Sequence, residues 1–402
     1  MPTHYTADMT RNVHAAWWGT VVLFLVHGLV VGTWVSRIPA VQSALHLSNG
    51  ILGLTLLSSA VGAVATLPLT GSFVSRYGSK KVNVVSSVGF CLALIPLGWA
   101  PNALTLAAAL FLFGAFAAAM DVAMNAQGVE VEKALGRPTM SRFHGMFSLG
   151  AMGGAAAGGF AAAHAIATLP HFAGSAVLAL IPVLAVLPLL LETHPDVLKQ
   201  DHRLAFNKIP PVLLAVSASG FCILLSEGAM SDWTALYLKQ VLNAGQGRAA
   251  AGYAAFSAAM AIFRFLGDLI TARLGPYRAV RTGCLVAAGG LIWALSMHSS
   301  AWAIPGFAVM GAGLSIIIPL VFGAGGRVES VNPGAGIATV TGIGYVGFIV
   351  GPPAIGFASQ VLTLRYALGL VVACCLLAAW LSRFMTSLEA GVSTSAVPEL
   401  QL

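Results

Sequence analysis

The chain has very little charge. Only 8% of its 402 residues are charged, whereas about a quarter of the residues of a soluble domain are charged. Hydrophobic residues make up 58% of the chain, and the mean hydropathy is +0.87. This composition excludes an ordinary soluble protein and indicates a chain embedded in a membrane.

The sequence also lacks the usual marks of a metal site or an enzyme. None of its five cysteines stands in a CxxC or metal-ligand spacing, and because all lie in apolar runs we interpret them as small apolar side chains. There is no paired-carboxylate DxxD site, HExxH motif, P-loop or nucleophile elbow. We therefore expect no enzyme activity, no metal and no cofactor, and any driving energy has to come from a gradient.

What the chain does have is a series of twelve apolar segments separated mostly by short turns. A helix needs about 20 apolar residues to cross a bilayer, and these segments meet or approach that length without the alternation expected of membrane strands. The first segment, residues 13–35, has no small-residue cleavage pattern after it, so it predicts an anchoring span. The fold class is an all-α integral membrane protein with twelve transmembrane helices.

An internal duplication divides the chain into two pseudo-symmetric six-helix bundles. The basic turn Gly71-Ser-Phe-Val-Ser-Arg-Tyr-Gly-Ser-Lys-Lys81 lies between the second and third segments, and Arg76-Tyr-Gly78 has an echo in Arg273-Leu-Gly275. Trp34 and Trp233 repeat with nearly the same offset. We predict an N-terminal tail (1–12), a first bundle (13–191), a polar linker (192–209), a second bundle (210–386) and a C-terminal tail (387–402).

The net charge of +7 reflects which connections lie on the cytoplasmic side of the membrane. Most of the 20 basic residues fall at the termini and in the even-numbered connections, including Lys80 and Lys81. The positive-inside rule then predicts that both termini, the linker and the tails are cytoplasmic. We expect a multi-pass protein of the bacterial inner membrane that contacts lipid and binds no nucleic acid.

The fourth predicted helix carries polar residues on one face. Asp121, Asn125, Gly128 and Glu132 follow a spacing of three or four residues, and ionisable groups inside lipid cost about 2.5–3.5 kcal/mol on insertion scales. Asp121 is therefore a candidate proton-titrating or substrate-binding carboxylate, and Asn125 a candidate amide ligand. The alternative is a structural ion pair of Asp121 with Arg76 or Arg142.

The second half and the start of helix five supply further candidates. Glu227 is predicted to lie deep enough in the membrane for a coupling role or, alternatively, for a hydrogen-bonded packing role. Arg264 is either a partner for an anionic substrate or neutralised by Asp268, one helical turn away. His144 is either a proton relay or a capping and packing histidine.

Two pairs of residues occupy matching places near the outer surface. Asp232 and Arg37 lie at the outer ends of helices seven and one, and either form an outer gate or extend to the interface. Trp34 and Trp233 either line a central cavity or belong to the aromatic belt of the membrane surface.

The basic turn resembles the signature loop of the major facilitator superfamily, G-x-x-x-D-R-x-G-R-R/K. The matching residues are Gly71, Arg76, Gly78, Lys80 and Lys81. Ser75 replaces the acidic residue of that motif, which implies a weaker cytoplasmic latch, with Asp268 nearby as one substitute. Finer similarity joins the chain to the bacterial inner-membrane branch typified by YbjJ and MosC, on the segments Trp34–Pro39, Asp121–Gly128, His144–Gly150, Glu227–Trp233 and Gly342–Pro353.

This resemblance implies a monomeric secondary transporter that works by alternating access. MosC is associated with rhizopine, an inositol-amine, so the resemblance implies a polyol, inositol or amino-sugar-like solute, with proton coupling. Proton-coupled drug or metabolite efflux is the alternative within transport. Gly351-Pro-Pro-Ala-Ile-Gly356 is similar to the GPxxG element of drug/proton antiporters, but those carry it on helix five. A non-transporting receptor with the same fold is the alternative from another class.

Overall fold

The structure is a computed structural model, and it describes residues 3–192, 209–329 and 331–385. The predicted linker, apart from its two ends, and the predicted C-terminal tail lie outside these residues. The first half contains α1 (Thr3–Ala44), α2 (Asn49–Tyr77), α3 (Ser79–Trp99), α4 (Ala103–Leu135), α5 (Met140–Ala163) and α6 (Thr168–Val186).

The second half has the same succession of spans, but several of them are divided. It contains α7 (Pro211–Gln240), α8 (Gln246–Phe265), α9 (Gly267–Leu274), α10 (Pro276–Ser296), α11 (Ser300–Leu314), α12 (Ile317–Gly325), α13 (Pro333–Val361), α14 (Leu364–Ala367) and α15 (Gly369–Leu381). Within residues 3–192, 209–329 and 331–385, eleven helical spans are long and apolar enough to cross a membrane, and α8 with α9, counted as one bent span, makes a twelfth. The part of the chain that the structure describes has no strand, so the all-α membrane fold is confirmed.

The repeated turn has nearly identical geometry in the two halves. Gly78, between α2 and α3, has φ 83° and ψ 154°, and Gly275, between α9 and α10, has φ 75° and ψ 157°. Each donates its N–H to a carbonyl one turn back, Val74 O or Thr271 O, at 2.9 Å. Glycine tolerates this positive φ without the strain that a Cβ would cause.

Close helix contacts hold each bundle together. On α1 and α5, a Cβ added at Gly28, Gly32, Gly150 or Gly154 would collide with the backbone of the facing helix. Small residues allow such close approach of helices in lipid. Large apolar side chains such as Val85, Leu178 and Trp302 lie exposed on the outside of the bundles, where a membrane-embedded protein meets acyl chains.

Two helices show details that their sequences do not indicate. α1 begins at Thr3 and so includes most of residues 1–12. α13 runs unbroken through Pro352 and Pro353, although proline usually kinks or breaks a helix. A transmembrane helix tolerates proline when neighbouring helices support it, and Gly53 of α2 packs against the Pro352 carbonyl. The sharp bend, 62°, lies instead between α8 and α9.

The two bundles meet where α1 faces α7, α2 faces α13 and α5 faces α8. We call the end of the molecule that carries Gly78 and Gly275 the basic end. The opposite end, which carries the turns after α1 and α7, is the far end. The remaining description refers to these two ends.

Candidate functional site

A network of amide and hydroxyl groups joins the two bundles at the far end. Gln240 of α7 donates to Gln42 Oε1 at 2.9 Å and to Asn49 Oδ1 at 3.1 Å, and accepts from Asn49 Nδ2 at 3.2 Å. Gln360 of α13 donates to Ser48 Oγ at 3.0 Å. Lys239 adds bonds to Ser43 Oγ at 2.7 Å and to Pro39 O at 3.2 Å. We call this cluster the clasp; its residues are Pro39, Gln42, Ser43, Ser48, Asn49, Lys239, Gln240 and Gln360.

The signature loop at the basic end bonds within its own half. Lys80 pairs with Glu192 at 2.9 Å, and Ser79 donates to Gln127 Oε1 at 2.7 Å. Arg76 and Arg273 are both exposed; the guanidinium of Arg76 lies 5.3 Å from the ring of its neighbour Tyr77. Among the residues that the structure describes, most hydrogen bonds between the bundles lie in the clasp, which closes the far end.

Arg264 of α8 forms the other polar connection between the bundles. Its Nη1 donates to Ser148 Oγ at 2.8 Å and to His144 O at 3.3 Å, both on α5. Its Nε donates to Ser315 O at 3.2 Å, and its Nη2 lies 3.7 Å from Glu227 Oε1. Only 13% of the Arg264 side chain is exposed, so this guanidinium is a buried hub that links both bundles.

Glu227 of α7 makes few contacts for a carboxylate at this depth. Its side chain is 18% exposed, and Oε1 accepts no hydrogen bond that meets the geometric criteria. One turn further along α7, Ser231 donates to Glu227 O at 3.2 Å and to the Tyr253 hydroxyl at 3.5 Å. Glu227 thus has a long ion pair with Arg264 and spare capacity to accept a proton or a hydrogen bond.

The polar face of α4 divides into two parts with different roles. Asn125 Nδ2 donates to Asp121 Oδ1 at 3.1 Å and to Asp121 O at 2.8 Å, and both side chains are partly exposed inside the protein. Glu132, nearer the basic end, accepts from Thr139 N at 2.6 Å and Met140 N at 3.0 Å. Glu132 therefore holds the start of α5, which leaves Asp121 and Asn125 available for other partners.

Two of the structural alternatives for the charged residues are wrong. Asp121 forms no ion pair with Arg76 or Arg142 within 4.0 Å among the described residues. Arg264 pairs with Glu227 rather than with Asp268, because the helix bends at Leu266 and Asp268 lies exposed beyond the bend.

The two residue pairs predicted near the outer surface lie on α1 and α7. Trp34 is 4% exposed and packs against Phe113 and Phe172 of its own bundle, and Trp233 is fully buried. Neither side chain is exposed as a residue of the aromatic belt would be. Arg37 donates to Ile166 O at 2.6 Å, and it makes no ion pair with Asp232 within 4.0 Å in this conformation.

His144 lies at the inter-bundle contact. Its ring packs edge-on against Phe24, with the centroids 5.2 Å apart, while its carbonyl accepts from Arg264. It is not a cap, since α5 begins at Met140 after Thr139. The sequence does not predict Ser148, Tyr253, Ser315 or the clasp, because single hydroxyls and amides have no distinguishing spacing.

Comparison with known sequences assigns the chain to a family of transporters. The sequence model described as Major Facilitator Superfamily matches residues 16–328. An uncharacterized MFS-type transporter of Yersinia pestis is 35% identical over 371 residues, which cover 91% of this chain and 95% of that protein. The membrane protein MosC of Rhizobium meliloti is 32% identical over 362 residues, which cover 87% of each chain.

Solved structures share the fold at low sequence identity. A variant of the nucleoside transporter NupG has a TM-score of 0.71 and 13% identity, with 92% of this chain and 99% of that chain covered. A bacterial homologue of the human lysosomal transporter Spinster, in an inward-facing and unoccupied conformation, has a TM-score of 0.69 and 12% identity, with 96% and 99% covered. Because the family model matches residues 16–328 and the Yersinia pestis relative is 35% identical over 91% of this chain, the chain belongs to the Major Facilitator Superfamily of membrane transporters.

Proposed function

We propose that the chain is a secondary active transporter that moves a small polar solute by alternating access, with protons as the coupling ion. The observation that carries the proposal is Glu227, a partly buried carboxylate that has only a long contact with Arg264. Protonation of Glu227 would remove its attraction for Arg264. Because Arg264 also bonds to α5, that change would reach the contact between the bundles.

The arrangement of the inter-bundle contacts supports the alternating-access part of the proposal. The clasp closes the far end, while Arg76 and Arg273 at the basic end are exposed. In parallel-repeat transporters the two bundles rock around a site near the membrane midplane. The clasp would break and the basic end would close in the opposite state. A gate between Arg37 and Asp232 would belong to the far-end-closed state, in which these two side chains make no ion pair within 4.0 Å, so we assign the outer gate to the clasp.

The polar groups between the bundles favour a solute that forms many hydrogen bonds. Asp121 and Asn125 from the first bundle, and Glu227 and Arg264 from the second, are partly buried acceptors and donors within the membrane-spanning helices. Such groups suit a polyol, inositol or amino sugar, and MosC is one of the relatives. The distribution of basic residues supports a cytoplasmic basic end in the bacterial inner membrane, and we propose that the protein acts as a monomer.

The solute class is tested by the thermal stability of the purified protein against polyols, inositols, amino sugars and lipophilic cations. A ligand at a hundred times its Kd stabilises the protein by about 2.7 kcal/mol, so one of the polar solutes is expected to raise the Tm. A response confined to lipophilic cations would instead support the drug-efflux alternative. Binding without flux in liposomes would support a receptor.

The coupling residues are tested by flux of the selected solute into proteoliposomes. Glu227→Gln and Asp121→Asn are each expected to lower proton-driven flux about tenfold or more, because a hydrogen bond to a charged group contributes about 1.5–3 kcal/mol. Glu130→Gln is the matched control, since Glu130 is exposed and pairs with Lys133 on the same helix. If flux and its pH dependence were unchanged in both test variants, the carboxylate assignment would be wrong.

A further inference from the structure

An open groove lies over the clasp at the far end of the molecule. It holds about 500 Å³, which is within the range of about 300–1,000 Å³ typical of small-molecule sites. The end of α1, the turn to α2 and the start of α2 line it from the first bundle, and the end of α7 lines it from the second. We call it the far-end groove, and its polar lining residues are Gln42, Ser43, His46, Ser48, Asn49 and Gln240.

The lining of the far-end groove is polar but carries no acidic or strongly basic side chain. Its polar groups are three amides, two hydroxyls and one imidazole, and no Asp, Glu, Lys or Arg lines it. A charged ligand would therefore find no carboxylate, ammonium or guanidinium of opposite sign in the lining. This composition favours recognition of a solute by hydrogen bonds rather than by charge.

The amide of Gln42 keeps hydrogen-bonding capacity beyond the clasp. Its Nε2 donates to Asn49 Oδ1 at 2.8 Å, and its Oε1 accepts from Gln240 at 2.9 Å. Because a side-chain amide has two N–H donors and can accept two bonds, one donor and one acceptor position remain. Gln42 is only 7% exposed, so the clasp fixes this amide at the base of the groove.

Exposed groups add donors and acceptors above this base. His46, Ser48 and Gln240 are all exposed. Among the described residues, the His46 ring has no hydrogen-bond partner, and the Ser48 hydroxyl accepts from Gln360 and from Ile51 N without donating. A solute hydroxyl both donates and accepts, whereas an ammonium only donates and a carboxylate only accepts. The mixed lining therefore suits a solute with several hydroxyl groups.

We infer that the far-end groove is a docking site for a neutral polyhydroxylated solute of monosaccharide size, separate from the groups around Arg264. The inference rests on the proposed function, because the docked solute is the one that the transporter would carry. Its hydroxyls would compete for the bonds of Gln240 with Gln42 and Asn49, so the clasp would open beside a solute already bound. A few neutral hydrogen bonds give an affinity on the order of 1 mM.

The test is a titration of the full-length protein in lipid nanodiscs, which contain no sugar detergent. The histidine rings carry ¹³C, and His46→Asn assigns the His46 signal, since asparagine tolerates the positive φ of 52° at this position. Myo-inositol or D-mannitol is expected to shift the His46 signal to saturation, with a midpoint on the order of 1 mM, and choline is expected to leave it unchanged. His164 is the matched control, because it is exposed at the end of α5 and does not line the groove.

Gln240→Ala removes the amide that the second bundle supplies, and it is expected to raise the midpoint about fivefold. If this variant fails to fold, the titration of the unaltered protein still decides. No His46 shift with either polyol, a shift that does not saturate, or an equal shift at His164 would overturn the inference. Polyol flux without a His46 shift would overturn the docking site and leave the transport proposal intact, whereas a saturable shift without flux would support the site and contradict transport of that polyol.

Discussion

At the scale of the residue, Arg264 and its hydrogen-bond and ion-pair partners are central to the proposed mechanism. This guanidinium contacts α5, α7 and the segment after α11 in one cluster. A buried ion pair is weak support for stability on its own, but removing one partner leaves the other charge uncompensated. The pair is therefore expected to behave as a unit, and this can be measured.

Arg264→Met is expected to destabilise the protein by about 3–5 kcal/mol, because Glu227 is left as an unpaired carboxylate. Adding Glu227→Gln should recover part of that loss, with a coupling of about 0.5–3 kcal/mol. Tm measurements complete this double-mutant cycle, with the wild type, both single variants and the double variant. Strictly additive effects would mean that the 3.7 Å contact contributes nothing to stability.

The sequence identified several of these residues but not their neighbours. Asp121, Asn125, Glu227 and Arg264 were found because a polar group in an apolar run is conspicuous. Helical spacing shows which residues share a face, but not whether that face meets the bundle interior or the cavity. For that reason the sequence did not show that Trp34 packs against Phe113 and Phe172 within its own bundle.

At the scale of the element, the packing of α1 against α5 relies on glycine at particular positions. A Cβ at Gly154 would contact Leu29 O and would lie 2.7 Å from Thr33 N, so the two helices would have to separate. At the neighbouring Gly153, the same added atom meets nothing within 4 Å. The two adjacent glycines thus differ in their surroundings and share one helix.

Gly154→Ala is expected to destabilise the protein by about 1–3 kcal/mol through overpacking. Gly153→Ala is expected to be neutral or to stabilise it by up to about 1 kcal/mol, because alanine is the better helix former. Unfolding midpoints in detergent compare the two. Equal effects at both positions would contradict the proposed close approach of α1 and α5.

Element positions were largely predictable, and the failures have physical causes. Length and hydropathy indicated every span, and the turn at Gly78 with its echo at Gly275 gave the repeat. The bend between α8 and α9 had no proline to mark it. In α13, by contrast, Pro352 and Pro353 would favour a break, but neighbouring helices support the chain there and the helix continues.

At the scale of the whole molecule, the clasp defines the conformation. It is built mainly from neutral amides and hydroxyls, and such hydrogen bonds contribute only about 0.5–1.5 kcal/mol each. A clasp of this kind can hold the far end closed and still open in each transport cycle. No sequence pattern marks the clasp, since Gln42, Asn49, Gln240 and Gln360 come together only in the folded pair of bundles.

Cross-linking tests whether the clasp has to open. Ser48→Cys with Gln360→Cys places two thiols at a contact between the bundles, so a bifunctional methanethiosulfonate reagent, which spans the length lost with the glutamine side chain, is expected to join them and to stop flux almost completely. Reduction should restore it. The single variants, treated in the same way, are the controls, and the five native cysteines are buried. Full flux through the cross-linked protein would mean that the far end stays closed during transport.

The most direct test of alternating access is the pair of distances between spin labels across the two ends. Labels at His46 and Asn243 report on the far end, and labels at Arg76 and Arg273 report on the basic end. On adding the stabilising solute, or on replacing Glu227 with Gln to imitate its protonated form, the far-end distance is expected to lengthen as the basic-end distance shortens. Two distances that change in the same direction, or that remain fixed under every condition that supports flux, would contradict the account.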